Sequence, residues 1–280
     1  MREVSTRLIK QKVKDMFIEM NYELGTDVST ALKTAKENEI SPLGKEVLEN
    51  LIQNLEISKE KKIPICQDTG MAVIFIEIGQ EVMLKDMYIG QAINEGVKEA
   101  YEEGYLRKSV VNDPLLRVNT KDNTPAIIHY EMVPGDQVTI KAAAKGFGSE
   151  NMGQMKMLTP SDGREGVVNF VVDTISKAGS NPCPPIVVGV GMGGTMEKSA
   201  LLAKKALLRP IESKNANAHI QELEEEILKR INALGIGPQG FGGRTTALAV
   251  NIESHPTHIA ALPVTVNINC HVSRHKECTI

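Results

Sequence analysis

The sequence predicts a mixed α/β protein in which a helical N-terminal section precedes a mixed sheet flanked by helices. Three observations favour this class. Apolar residues recur at helical spacing in the N-terminal section, short apolar runs broken by glycine and proline begin at Ile63, and amphipathic segments are interleaved with those runs. We expect one domain over residues 1–280, with residues 1–62 as its helical section and residues 63–280 as its α/β section.

The N-terminal section is predicted to form three helices. One apolar stripe at steps of three and four is made by Val13, Met16, Phe17, Met20 and Leu24. Thr26 and Asp27 are candidate caps of a second helix, and Ser41 before Pro42 marks the start of a third. The charged run at 59–62 ends this section, because lysine is favourable at a helix C-terminus.

The α/β section alternates predicted strands and helices. Residues 71–79 are a candidate strand, and residues 125–146 indicate two strands joined by a turn at 134–136. Amphipathic helices are predicted over residues 87–103, 164–179, 195–208 and 215–234.

Composition excludes several classes of protein. Lysine and arginine number 32 against 35 acidic residues, and tryptophan is absent, which disfavours nucleic acid as a partner. No window approaches the roughly 18 apolar residues of a membrane span. The N-terminal residues lack the apolar core of a signal peptide, so we expect a cytoplasmic protein. Four cysteines are too few for a disulfide scaffold.

One glycine motif matches the sequence pattern of a dinucleotide-binding site. Gly189, Gly191 and Gly194 match G-x-G-x-x-G between an apolar run and a predicted helix. The second strand that should end in an acidic residue is missing, because residues 211–231 indicate another helix. A turn that packs strand against helix is the alternative to nucleotide binding.

The cysteines have no metal-binding spacing of a known kind. Cys66, Cys183 and Cys270 lie in turn-like stretches beside polar or rigid residues, where a thiolate can face a cavity. The alternative is that they are buried apolar residues. Cys278 lies two residues from the C-terminus, and we expect it to take no part in metal binding or redox chemistry.

Five segments together resemble a known family. These are CQDTG, KGFGSEN, NPCPP followed by GVGMGG, GPQGFGGRTTAL, and HPTHIAALPVTVNINCHVSRH. In this order, and over essentially the whole chain, they resemble the class I, iron–sulfur-dependent fumarate hydratases. More narrowly, the chain is similar to the separate alpha subunit of the two-subunit form, in a family shared with L-tartrate dehydratase.

The resemblance implies an oxygen-sensitive [4Fe-4S] cluster held by Cys66, Cys183 and Cys270. Because three thiolates serve four irons, one iron keeps an open position and can act as a Lewis acid toward a small dicarboxylate substrate. A fully ligated cluster would only carry electrons. Cys278 matches no motif of the family and is excluded as a ligand.

The resemblance also implies site residues. Asp68 and His258 would handle protons, and Gln67 would reach the substrate or the oxygen on the open iron. A turn-capping carboxylate and a structural histidine are the alternatives for Asp68 and His258. Arg107 would grip a substrate carboxylate, or else be a solvated charge, and Gly146 would offer a backbone N–H.

Four further residues belong to the same resembling segments. Arg244 could be positive lining or strand-edge packing. His271, Arg274 and His275 could surround the cluster ligands.

The resemblance implies a partner as well. The chain ends soon after Cys270, where the fused enzymes continue into a domain with a catalytic threonine base and further basic ligands. We therefore expect a separate beta subunit, a heterodimer and then a dimer of such pairs. The leading reaction is reversible hydration of fumarate to L-malate, a step of the tricarboxylic acid cycle. The alternatives are dehydration of L-tartrate to oxaloacetate, a nucleotide-binding protein and a non-catalytic interaction protein.

Overall fold

A computed structural model describes residues 1–280 and divides them into two compact units. The first unit contains Met1–Gly25, Asn54–Phe147 and Arg274–Ile280. The second unit contains Thr26–Gln53 and Gly148–Ser273. Each unit is therefore made of segments that are separated in the sequence.

Helices and strands are both abundant, with 42% of residues helical and 25% in strands, which confirms the mixed α/β class. The helices are α1 Thr6–Tyr22, α2 Thr26–Asn38, α3 Pro42–Lys61, α4 Ile89–Glu103, α5 Phe147–Glu150, α6 Gly163–Ala178, α7 Met196–Ala206 and α8 Ala218–Asn232. The predicted helices therefore exist, within a few residues of their expected ends. None of them combines the length and the apolar character that crossing a bilayer would need.

Ten strands form three sheets. They are β1 Arg2–Ser5, β2 Met71–Gly79, β3 Val82–Lys85, β4 Ile127–Val133, β5 Val138–Lys145, β6 Gln154–Leu158, β7 Ile186–Gly193, β8 Ala247–His255, β9 Leu262–Asn269 and β10 His275–Thr279. Two of the sheets have four strands, in the orders β10-β5-β2-β4 and β6-β9-β7-β8, and the third pairs β1 with β3. The first residues thus form a strand before α1, which helical spacing did not indicate.

The sheet of the first unit contains both strands expected on either side of the turn at 134–136, which confirms that expectation. These two strands do not pair with each other. β2 lies between them, parallel to β4 and antiparallel to β5. Almost every residue of β2 is buried, so this strand takes the centre of the sheet and separates the two. The helices α1 and α4 pack against this sheet. Four residues of the predicted stripe, Val13, Met16, Phe17 and Met20, are buried on α1, and the fifth, Leu24, is buried just after the helix ends.

The sheet of the second unit explains the glycine motif. β7 runs parallel to β8 and antiparallel to β9, and α7 packs across β7. A Cβ on Gly191 would lie 1.9 Å from the Ser199 carbonyl oxygen, and one on Gly189 would lie 2.3 Å from that of Ala203. These glycines therefore allow helix and strand to approach closely. Their packing role accounts for the pattern without a bound nucleotide.

A buried carboxylate joins two parts of the second unit. Glu39, only 1% exposed, follows α2. Its oxygens accept backbone N–H groups of Ile40 and Ser41 at 2.9 and 3.1 Å, and of Arg244 and Thr245 at 2.8 and 3.3 Å. Burial alone would raise the pKa of Glu39, but the four backbone hydrogen bonds outweigh it and the pKa lies below its usual value.

The lowered pKa makes the stability of this unit depend on pH. The contribution of Glu39 is complete above its ordinary pKa of 4.5 and is lost as the pH falls through the lowered folded pKa. We expect Glu39→Gln to reduce the free energy of unfolding at pH 7 by about 1–3 kcal/mol and to flatten its fall in acid. Urea denaturation over a pH series measures both. Glu37→Gln, on an exposed neighbour, is the control, and equal effects of the two changes would contradict this assignment.

Candidate functional site

The segment after Cys66 forms a tight turn in the first unit. The Asp68 N–H donates to Cys66 Sγ at 3.4 Å. The Asp68 carboxylate accepts the Gly70 N–H through Oδ1 and the Phe147 N–H through Oδ2, both at 2.9 Å. Asp68 therefore caps its own turn, as its alternative interpretation holds, and also ties the CQDTG segment to the KGFGSEN segment.

Gly146 lies directly beside this carboxylate. A Cβ at Gly146 would be 3.2 Å from Asp68 Oδ2 and 3.5 Å from Arg274 Nη2. The missing side chain of Gly146 leaves space between a carboxylate and a guanidinium. An anion can approach the backbone at such a position.

Arg107 and Gln67 belong to the same unit, and both side chains are exposed. The Arg107 carbonyl oxygen accepts the Thr69 hydroxyl at 3.1 Å, which fastens the backbone of Arg107 to the turn after Cys66. The guanidinium and the Gln67 amide thus extend to solvent from backbone that is held in place. The first unit therefore brings together the segments of Cys66, Asp68, Arg107 and Gly146.

The second unit holds the other two predicted ligands. Cys183 is exposed, with the left-handed φ of 55° that a non-glycine residue rarely adopts. Its carbonyl oxygen accepts the backbone N–H of His271 at 3.3 Å and lies 3.1 Å from His271 Nδ1. Because His271 follows Cys270 directly, this contact holds the segments of Cys183 and Cys270 together.

Gln239 braces these two segments. Its side-chain amide donates to the Pro184 carbonyl oxygen at 2.6 Å and lies 3.2 Å from His271 Nδ1. Its backbone N–H donates to the same carbonyl oxygen at 2.8 Å. Gln239 lies in the GPQGFGGR segment, in which only Arg244 was selected from the sequence and Gln239 was missed. The side chain of Arg244 is exposed.

His258 lies in an exposed loop of the second unit. The Ala260 N–H donates to Nδ1 of His258 at 3.2 Å, so the neutral ring carries its proton on Nε2. The same loop is joined to the end of the glycine motif. The Thr257 hydroxyl donates to the Gly194 carbonyl oxygen at 2.9 Å, and the Gly194 N–H donates to that of Pro256 at 3.2 Å.

Comparison with known proteins identifies the family. A model described as fumarate hydratase (fumerase) matches residues 10–279. The chain belongs to the fumarate hydratase family. The resemblance seen in five separate segments is thereby confirmed over almost the full length.

Two curated members illustrate the similarity within the fumarate hydratase family. A protein of Methanocaldococcus jannaschii, whose name assigns it provisionally as the alpha subunit of L(+)-tartrate dehydratase, is 46% identical over 272 residues, covering 95% of each chain. The L(+)-tartrate dehydratase alpha subunit of Escherichia coli strain UTI89 is 36% identical over 252 residues, covering 89% of this chain and 82% of its own.

Cys278 differs from the three other cysteines in this member of the fumarate hydratase family. Its Sγ lies 3.5 Å from Met16 Sδ, and its side chain packs against the apolar core of the first unit. Burial raises the pKa of the Cys278 thiol, which disfavours the thiolate that a metal requires. All four cysteines are thiols rather than disulfides.

No group of three or more histidine, cysteine, aspartate or glutamate side chains has the spacing that would hold a single metal ion. A [4Fe-4S] cube differs from a single ion, because each thiolate binds a different iron and the sulfurs stand farther apart. The predicted ligands are divided as Cys66 in the first unit and Cys183 with Cys270 in the second.

Proposed function

We propose that this chain is the cluster-binding alpha subunit of a hydro-lyase that adds water to, or removes it from, a four-carbon dicarboxylate. One observation carries the proposal. Asp68, two residues after Cys66, lies against Gly146, so the two segments that the family resemblance assigns to substrate meet in one unit. Membership of the fumarate hydratase family supplies the reaction class.

The thiols of Cys66, Cys183 and Cys270 suit an iron–sulfur cluster. Thiolates are the usual ligands of such clusters, and N–H groups donating to sulfur tune them. The Asp68 N–H already donates to Cys66 Sγ. The contact between Cys183 and His271 holds the other two ligand segments together. All four cysteines are exposed or half-buried, but Cys278 packs against the apolar core of the first unit and is left out. We propose a [4Fe-4S] cluster on this set.

When bound by three thiolates, such a cluster supplies an open iron that polarises a carbon–oxygen bond. The chain's own residues supply the rest. The Gly70 and Phe147 amides fix both oxygens of Asp68, so its carboxylate can accept or return a proton in one orientation. His258 presents Nε2–H as a donor. Arg107 can grip a carboxylate in a bidentate way, and Gln67 offers an amide.

Two substrates fit this proposal. Fumarate plus water gives L-malate reversibly, and this is the reaction that the family description names. L-tartrate losing water gives oxaloacetate, and the names of the relatives favour it. L-malate and L-tartrate, the hydrated partners in the two reactions, differ by one hydroxyl, which one or two pocket side chains can select.

The same names imply a partner. Both relatives are called alpha subunits, so we propose that a separate beta subunit completes the site, as a heterodimer and then a dimer of heterodimers. We expect the assembly in the cytoplasm, where thiols remain reduced.

Anaerobic co-expression with candidate partner chains, followed by assay on fumarate, L-malate and L-tartrate side by side, tests the proposal. We expect hydro-lyase turnover on at least one of the two reactions. A cluster-loaded complex that turns over neither would contradict the proposed function. A chain that binds no iron with any partner would instead favour the non-catalytic alternative.

A further inference from the structure

Three successive carbonyl oxygens after Cys66 are each held by buried side chains. The Asp68 oxygen accepts Arg274 Nη1 at 2.7 Å. The Thr69 and Gly70 oxygens lie 2.7 and 2.9 Å from the Tyr101 hydroxyl and share its single proton. The Gly70 oxygen also accepts Asn123 Nδ2 at 3.2 Å. We call Arg274, Tyr101 and Asn123 the turn clamp. All its members belong to the first unit.

Arg274 is a buried arginine whose hydrogen-bond acceptors are all uncharged. Its side chain is 3% exposed, and Nη1 also donates to Asn21 Oδ1 at 2.9 Å. None of its hydrogen bonds reaches a carboxylate, and its buried Nε has no hydrogen-bond partner. Burying a guanidinium on neutral acceptors costs free energy that an apolar side chain would not. A role beyond stability is therefore the simplest reason for this arginine.

Tyr101 is fully buried beneath the turn. Burial raises the pKa of its hydroxyl above the ordinary value, and the charge of Arg274 opposes that effect only in part. The hydroxyl therefore remains protonated and serves as a donor. Its two acceptors are adjacent carbonyl oxygens, so it fixes the peptide plane between Thr69 and Gly70.

We propose that Arg274 and Tyr101 are positioning residues that set the orientation of the Asp68 carboxylate. This inference rests on the proposed function, in which Asp68 handles a proton. The carboxylate touches only backbone donors, namely the Gly70 and Phe147 amides. The orientation of the carboxylate is therefore set by the backbone. The turn clamp fixes that backbone through its hydrogen bonds to the carbonyl oxygens of residues 68–70. A shift of about 1 Å in a reacting group can reduce turnover roughly 100-fold.

The test compares two conservative variants with two matched controls, each in the co-purified, cluster-loaded complex. Tyr101→Phe removes only the hydroxyl, and Tyr22→Phe removes the hydroxyl of another tyrosine of the same unit, which donates to the Gly104 carbonyl oxygen. Arg274→Lys keeps the charge but loses the planar fork. Arg209→Lys is its control, because Arg209 is also largely buried but bonds to Glu224.

We expect Arg274→Lys to lower kcat roughly 100-fold and Tyr101→Phe about tenfold, with KM changed less than about twofold and iron content unchanged. Hydrogen–deuterium exchange supplies a readout that does not depend on activity. In both variants the amides of Gly70 and Phe147 should exchange at least about tenfold faster, since they donate to Asp68. Both controls should match the wild type in kcat per cluster and in exchange at these amides.

Unchanged kcat per cluster, or unchanged exchange at those two amides, would overturn the inference even if the melting temperature fell. If Arg274→Lys does not fold, Tyr101→Phe decides alone. An inactive wild-type complex would overturn the proposed function instead, and in that case faster exchange in the variants would show that the clamp holds Asp68 without a catalytic purpose.

Discussion

Replacing Cys183 by serine is expected to abolish hydro-lyase activity and to remove the visible absorbance of the cluster. Serine keeps the size of the side chain but replaces the thiolate that iron prefers. Cys183 is exposed and lies in a loop with a left-handed backbone conformation. The change therefore creates no cavity in a core. Activity of the partner complex should fall by at least about a hundredfold, because one lost ligand destabilises the whole cluster. Absorbance, iron content and turnover are the measurements.

Cys278→Ser is the matched control for this experiment. Its sulfur lies against Met16 and the core of the first unit, so we expect a small loss of stability with normal iron content and turnover. Equal loss of the cluster from both changes would mean that the wrong thiols have been assigned.

The chain purified alone and loaded anaerobically with iron and sulfide is expected to bind the cluster but to turn over no substrate. The relatives are named as alpha subunits, and the proposed site in this chain offers only Asp68 and His258 for proton transfer. A missing general base is worth roughly 10²–10⁴ in rate. Adding the separately prepared partner should restore turnover in proportion to the complex formed.

The control for that experiment is the same partner subunit added to the Asp68→Asn variant of this chain. This variant keeps an acceptor oxygen but loses the charge, so the complex should form without activity. Turnover by the wild-type chain alone, at the rate of the complex, would contradict the proposed requirement for a second subunit.

Much of the fold could be predicted because its elements have strong local patterns. The stripe on α1 and the apolar run of β2 each fix an element without reference to the rest of the chain. The position of β2 between β4 and β5 could not be predicted in the same way. That arrangement depends on which strand buries both faces, and a turn between two strands does not fix which strands pair. The short strand β1 pairs with β3, a contact far away in the sequence.

The candidate site shows the same difference between local and distant signals. The cysteines, Asp68 and His258 lie in segments that the family resemblance marks, so the sequence was enough to propose them. Gln239 and Tyr101 act through contacts with the backbone of distant turns, and no spacing in the sequence announces such contacts. The KGFGSEN segment was identified through Gly146, whereas its Glu150 pairs with the largely buried Lys204 on α7.

We propose that three thiols distant in the sequence hold one iron–sulfur cube with an open corner. Iron and acid-labile sulfide analysis of the anaerobically reconstituted chain, beside its Cys66→Ser, Cys183→Ser and Cys270→Ser variants, is the decisive experiment. We expect about four irons and four sulfides per wild-type chain and strong loss from each variant. Negligible iron in the wild type, or full iron in any one of the three variants, would contradict it.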